Sequence, residues 1–201
     1  QNSIINITDG ELISTADYAV YLPQSGTTTI SGGKVYGAAG GVCIQRGTLN
    51  VEGTALITSK GTGSTGNWGD GTGGLDCAAI NVSGAYGIAT VNIKGGTLIA
   101  EAKSLITEGT TYTPVINVTG GTFSDPSALK YMKANANVNI KLTADKTCPG
   151  FKTTSGQTLT MDLGGKILTL ADPTIGSTGT ERTAVNYSKV QTYFQERNAE
   201  E

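Results

Sequence analysis

The side chains that could do acid, base or metal chemistry are few and scattered. Asp9, Asp17, Glu52, Glu101 and Glu108 occur singly, and no pair of carboxylates recurs at one offset in successive segments. A glycosidase needs two carboxyl groups flanking the scissile bond, and a calcium-dependent lyase needs carboxylates gathered beside a basic residue. The chain has no His, which removes the commonest general base and every His-dependent triad. No catalytic residue, no cofactor site and no metal site is assigned, and the chain is not expected to be an enzyme. Three cysteines, Cys43, Cys77 and Cys148, fit neither a zinc module nor a disulfide framework. An odd number leaves at least one without an intrachain partner, and all three are expected to pack as small apolar residues.

The most individual segment is the Gly-rich insertion at 59–74, which carries the only Trp. Loops on rigid scaffolds often bind partners, and an aromatic ring beside amide and carboxylate groups suits a sugar face. Asn67, Trp68 and Asp70 are the candidate glycan- or partner-binding residues; the alternative is that Trp68 folds back as cover. Gly69 to Asp76 faintly matches a calcium-binding nonapeptide, but such motifs work by tandem repetition and this is a single copy.

Composition limits the partners. With 15% charged residues, a net charge of −2 and 29 glycines, solubility rests on uncharged polar groups. Nucleic acid is not an expected partner, because phosphate binding needs clustered Lys and Arg. No run nears the roughly 18 apolar residues of a membrane span. The chain opens on Gln1 without an initiator Met or a signal-peptide pattern, as a processed or partial product would.

The elements that must position these residues follow from an internal repeat. Ile5–Gly10, Val91–Gly96 and Ile116–Gly121 share one order: apolar, polar, apolar, polar, then a turn; Thr28–Gly33 and Leu49–Gly53 are looser copies. Alternation of period two marks a strand with one buried face, and Gly-Gly or Asp-Gly marks a bend. A second apolar residue follows five positions on: Ile7 and Leu12, Ile30 and Val35, Val51 and Leu56, Ile93 and Leu98, Val118 and Phe123. Markers at 7, 30, 51, 93 and 118 give steps of 23, 21, 42 and 25, and the count continues to Ile140 and Leu163. The long step contains the insertion.

A period of 21–25 residues with short strands and no helix-forming half predicts an all-β fold, a right-handed parallel β-helix or solenoid. Ile7, Ile30, Val51, Ile93 and Val118 should form one buried column. Asn6, Asn50, Asn92 and Asn117 then face outward, and the sequons at Asn6, Asn81 and Asn117 follow from that alternation rather than from glycosylation. Thr27-Thr28-Thr29 is not expected to start a threonine ladder, since later coils place Leu49-Asn50, Val91-Asn92 and Ile116-Asn117 opposite its last two residues.

Gly-Gly-Thr-Phe-Ser-Asp-Pro-Ser at 120–127, and the run from Ser155 to Lys166 followed by Leu168-Thr169-Leu170, resemble right-handed β-helix (pectate-lyase-like solenoid) surface proteins of gut bacteria and their tailed phages, including head-fibre and other virion-surface proteins. The resemblance covers most of residues 1–180. In that family the second motif tends to begin a solenoid and the first to finish one, an order reversed here. The expected divisions are solenoid coils over 1–133, further coils or the start of a second module over 134–180, and a helical tail over 181–201. In the tail, Ser188 with Gln191 three residues on can form a capping box. Tyr187, Val190 and Phe194 share one helical face, so the tail either caps the solenoid or serves attachment or oligomerisation.

The resemblance implies a structural or adhesive fibre or spacer on a virion or bacterial cell surface, homo-oligomeric, meeting a host glycan or protein and other surface subunits. The alternatives are a pectate-lyase-like lyase or hydrolase and a carbohydrate-binding module.

Overall fold

The computed structural model describes residues 2–63, 76–108 and 111–171. The chain winds in coils. The first carries β1 (Ser3–Ile7), β2 (Glu11–Ser14) and β3 (Tyr18–Leu22), and the second carries β4 (Gly26–Ile30), β5 (Lys34–Gly37) and β6 (Gly40–Ile44). The third has β7 (Gly47–Val51), β8 (Leu56–Ser59) and β9 (Ala78–Val82), and the fourth β10 (Ala89–Ile93), β11 (Thr97–Ala100) and β12 (Lys103–Thr107). The fifth begins with β13 (Val115–Val118) and β14 (Thr122–Phe123), then substitutes a 3₁₀ helix, Pro126–Tyr131, for a third strand. β15 (Asn137–Lys141), β16 (Lys146–Pro149), β17 (Thr158–Asp162) and β18 (Leu168–Ala171) follow.

Equivalent strands stack in parallel as a β-solenoid of about seven turns, the number of strands in its longest sheet. The first sheet runs β1-β4-β7-β10-β13, the second β2-β5-β8-β11-β14-β15-β17, and the third β3-β6-β9-β12. β16 and β18 pair separately. The second sheet crosses residue 134 without a break, because β14 pairs β15 and β15 pairs β17.

The core is a set of columns. Ile7, Ile30, Val51, Ile93 and Val118 are successive Cα partners, as the five-residue offset predicts. All but the half-buried Ile7 are sealed from solvent. A second column in the same sheet is Ile5, Thr28, Leu49, Val91 and Ile116. Each fully buried Val, Ile or Leu contributes about 1.5–3 kcal/mol, so stacking replaces a globular core. Corners also bond from coil to coil: Ser31 N–H donates to Ile7 O at 2.9 Å, and Lys94 N–H to Val51 O at 2.8 Å. Gly33 shows why the corner is glycine. Its φ is +69°, and a Cβ there would lie 2.7 Å from the carbonyl oxygen of Gly10 in the coil below.

Two placements differ from the repeat count. In the second sheet the column is Leu12, Val35, Ile57, Leu98, Phe123, Ile140 and Met161, so Ile57 and not Leu56 points inward. The corner before Ile57 is one residue longer than that before Val35, and a tight turn with Ala55 N–H on Glu52 O absorbs the extra residue. Ile140 likewise belongs to this column of the second sheet and not to the one through Val118, whose next partner is Met132. Leu163 does not continue the first column either; it follows β17, whose Met161 is the partner of Ile140. The chain needs only 17 residues from Phe123 to Ile140, because the 3₁₀ helix shortens the path.

Val51 pairs directly with Ile93, so the 42-residue step is one coil. The long connection lies between β8 and β9, and its described ends meet where Cys77 N–H donates to Gly63 O at 2.8 Å. Loop-closure free energy changes by only about 0.6 kcal/mol per doubling of length. Shortening the chain within 64–75 is therefore expected to move stability by less than about 1 kcal/mol. A urea titration followed by circular dichroism checks this, and loss of the cooperative transition would refute it.

Candidate functional site

Three surfaces of the solenoid carry organised polar groups. On the outward face of the first sheet, Asn6, Thr29, Asn50, Asn92 and Asn117 are register partners. Asn117 Nδ2 donates to Asn92 Oδ1 at 2.8 Å, Asn92 Nδ2 to Asn50 Oδ1 at 2.9 Å, and Asn50 Nδ2 to Thr29 Oγ1 at 3.3 Å. This ladder follows from the alternation, which returns a polar side chain to one outward position in each coil, Asn in four of the five and Thr29 in the second. Beside it, Thr27, Thr48 and Thr90 are also partners. No threonine pair repeats from coil to coil, as expected, but this single row of three was not foreseen, and it ends at Ile4 on one side and Val115 on the other. Comparing only the last two residues of Thr27-Thr28-Thr29 hid it.

Asn92→Ala removes a donor and an acceptor from the middle of the ladder. The expected loss is about 1 kcal/mol, the net worth of a solvent-accessible amide bond. A lowered urea midpoint at unchanged slope is the signature, and an unchanged midpoint would show that the ladder adds nothing.

The second surface is the outside of the third sheet, where β6 and β9 are buried at every position. Tyr21, Cys43, Asn81 and Ile106 are partners across it. Asn81 Nδ2 donates to Glu108 Oε1 at 3.0 Å and to Asp76 O at 3.1 Å, and the Tyr18 hydroxyl donates to Asp76 O at 3.0 Å. Burial, reinforced by the Cys43 thiol, pushes the Tyr18 phenol far above its usual range, so it remains a neutral donor. Burial likewise raises the Cys77 thiol. These groups tie down the base of the insertion. Asn81 is sealed from solvent, which removes it as a glycosylation acceptor.

The third surface is a cleft of about 720 Å³ beside the end of the third sheet. The 3₁₀ helix stops that sheet by occupying the edge of β12 with side chains. Asp125 Oδ2 accepts from Ser104 N–H at 2.5 Å, and Ser127 Oγ from Leu105 N–H at 3.0 Å. Asp125 also caps the helix, accepting from Ser127 N–H at 2.7 Å. With no strand stacked on β12, a gap opens between it, the helix and residues 146–157. Lys103, Lys130, Lys146 and Lys152 line that gap. Leu105, Leu129, Met132 and Phe151 give it apolar walls. Lys146 Nζ donates to the carbonyl oxygens of Glu101 and Ala102 at 2.6 and 2.9 Å, holding the far wall in place.

Comparison with family models, with curated proteins and with solved structures finds no match. Strand pairing alone therefore establishes the architecture.

Of the residues singled out in the sequence, Asn67, Trp68 and Asp70 lie outside the described residues, as do Tyr187, Val190 and Phe194. The carboxylates are used locally. Asp9 accepts from Gly10 N–H, Asp17 from Tyr18 N–H, and Glu52 lies 3.7 Å from Lys94 Nζ on the next coil. Among the described residues no group of three or more His, Cys, Asp or Glu converges as a metal site. Among the described residues Cys43, Cys77 and Cys148 form no disulfide; the first two are buried and the third is half-buried. Sequence reading missed the cleft. Its one readable signal was Ser-Asp-Pro-Ser at 124–127, which supplies the cap that ends the third sheet.

Proposed function

We propose that the chain is a non-enzymatic structural and adhesive module, a rigid fibre or spacer on an extracellular surface, either a phage virion or a bacterial cell. The observation that supports this is the unbroken second sheet, seven strands stacked in parallel along one axis. Such a stack lengthens by adding coils without redesigning its core, and each coil is held on both sides by backbone bonds and apolar columns. Its outward faces offer uncharged amide and hydroxyl groups that suit a host glycan or protein. Self-association and joining to other surface subunits fit the exposed strand edges at the ends of such a stack. The resemblance to solenoid surface proteins of gut bacteria and their phages supports the same reading.

Two measurements test it. Electron microscopy with labelled antibody should place the protein on virions or on the cell exterior, and an intracellular location would refute the proposal. A glycan array with product analysis should show retention without cleavage. Turnover would instead make the chain a carbohydrate-active enzyme of the pectate-lyase-like kind.

A further inference from the structure

We infer that the cleft between β12, the 3₁₀ helix and residues 146–157 is a binding site for a sulfated oligosaccharide. This rests on the reading of the chain as a surface module that meets glycans. Charge distribution points to the site. The whole chain carries 14 Lys and Arg against 16 Asp and Glu, yet four lysines line this one cleft, and Asp125 is the sole carboxylate among its described lining residues. The Asp125 carboxylate is buried and taken up by the amides of Ser104 and Ser127. The cleft surface therefore carries positive charge without an acidic counterpart; Lys146 is held by the carbonyls of Glu101 and Ala102 and Lys130 Nζ lies 4.9 Å from the centre of the Tyr131 ring, while neither has a carboxylate partner among the described residues.

The rest of the lining narrows the ligand. Apolar side chains form part of the wall, Leu105, Leu129 and Phe151 among them, and Thr147 and Thr154 add hydroxyls. A sugar ring has a C–H face for the first and hydroxyls for the second, whereas a free inorganic anion would leave the apolar wall uncovered. About 720 Å³ lies within the usual range for small-molecule sites and accommodates a short oligosaccharide. No Arg lines the described cleft. Lysine acts as a compact point charge with three rotatable donors, which suits a sulfate ester whose charge is spread over three oxygens. The cleft also owes its existence to an interruption of the fold, where the 3₁₀ helix replaces a strand that would have filled it.

The test uses the full chain and a chondroitin sulfate hexasaccharide, the same hexasaccharide after desulfation, which keeps its uronate carboxylates, and a short poly-glutamate peptide. Binding by calorimetry is expected for the sulfated sugar alone, weakening about tenfold as salt is raised from low to several times physiological strength. Lys103→Glu with Lys130→Glu should weaken it by about tenfold or more, since both ammonium groups become repulsive. Lys146 is left intact because it holds two carbonyls. Lys103→Gln with Lys130→Gln, which removes charge without adding repulsion, should show an intermediate loss, and thermal melting of both variants establishes that they fold. Equal binding after desulfation would overturn sulfate recognition, and equal binding of poly-glutamate would make the occupant an acidic peptide. Absence of binding, or binding indifferent to both double variants, would overturn the site itself. Should a neutral glycan still be retained on the array by the charge-reversed protein, the surface-module reading stands while the cleft assignment falls.

Discussion

Ile93→Asp is expected to leave no cooperatively folded protein. Ile93 is fully buried and sits between Val51 and Val118 in the inner column of the first sheet, so coils on both sides close over it. An unpaired carboxylate in that place costs several kcal/mol after relaxation, on top of the lost burial of the isoleucine. Total stability of a domain is about 5–15 kcal/mol, so the substitution removes most or all of it. Ile93→Val, by contrast, loses one methylene and should cost about 0.5–1.5 kcal/mol. Circular dichroism under urea distinguishes them: a shifted but cooperative transition for the valine variant and none for the aspartate. A soluble aspartate variant with unchanged melting would mean that the column is not the core.

Gly37→Ala should also be clearly destabilising despite adding a single methyl. Gly37 ends β5, and the chain turns to β6 through only Ala38 and Ala39. A Cβ at Gly37 would overlap the carbonyl oxygen of Gly40 and approach that of Asp17 to 2.7 Å. Both obstacles are backbone, held by the coil's own pairing, so neither can swing aside as a side chain would. Relief requires moving β6, whose Val42 and Ile44 are buried in register with the neighbouring coils. Overpacking of this kind typically costs 1–3 kcal/mol and more where backbone must shift. A loss above about 2 kcal/mol is expected, against about 1 kcal/mol or less for Gly63→Ala, where a Cβ meets nothing within 4 Å. Equal stability of the two variants would show that the corner can open.

Most of the solenoid was legible because its code is local and repeated. Alternation of apolar and polar residues follows from the pleat, the Gly corner from the need for positive φ, and repetition of both at one period leaves few ways to stack the strands. The same residues also show the limit. Leu56 and Ile57 are both apolar and adjacent, so a fixed offset selects the wrong one, and only pairing with Val35 and Leu98 decides that Ile57 faces inward. Thr48 looks like an ordinary strand residue until register sets it between Thr27 and Thr90.

The lysines of the cleft were not legible at all. Lys103, Lys130, Lys146 and Lys152 stand at irregular spacings in unrelated motifs, and nothing in their neighbourhoods marks them as a group. They meet because Asp125 and Ser127 consume the edge of β12, the helix bypasses the third sheet, and the shortened path brings residues 146–157 across the gap. Sequence alone thus determined the strand faces, the corners and the column through Ile93, all of which depend on a residue and its near neighbours. Tertiary structure decided the places of Ile57 and Ile140 in the column of the second sheet, the threonine row and the cleft, because those depend on how many residues each coil spends in closing, a quantity set by corner geometry and by competition for the hydrogen bonds of an edge strand.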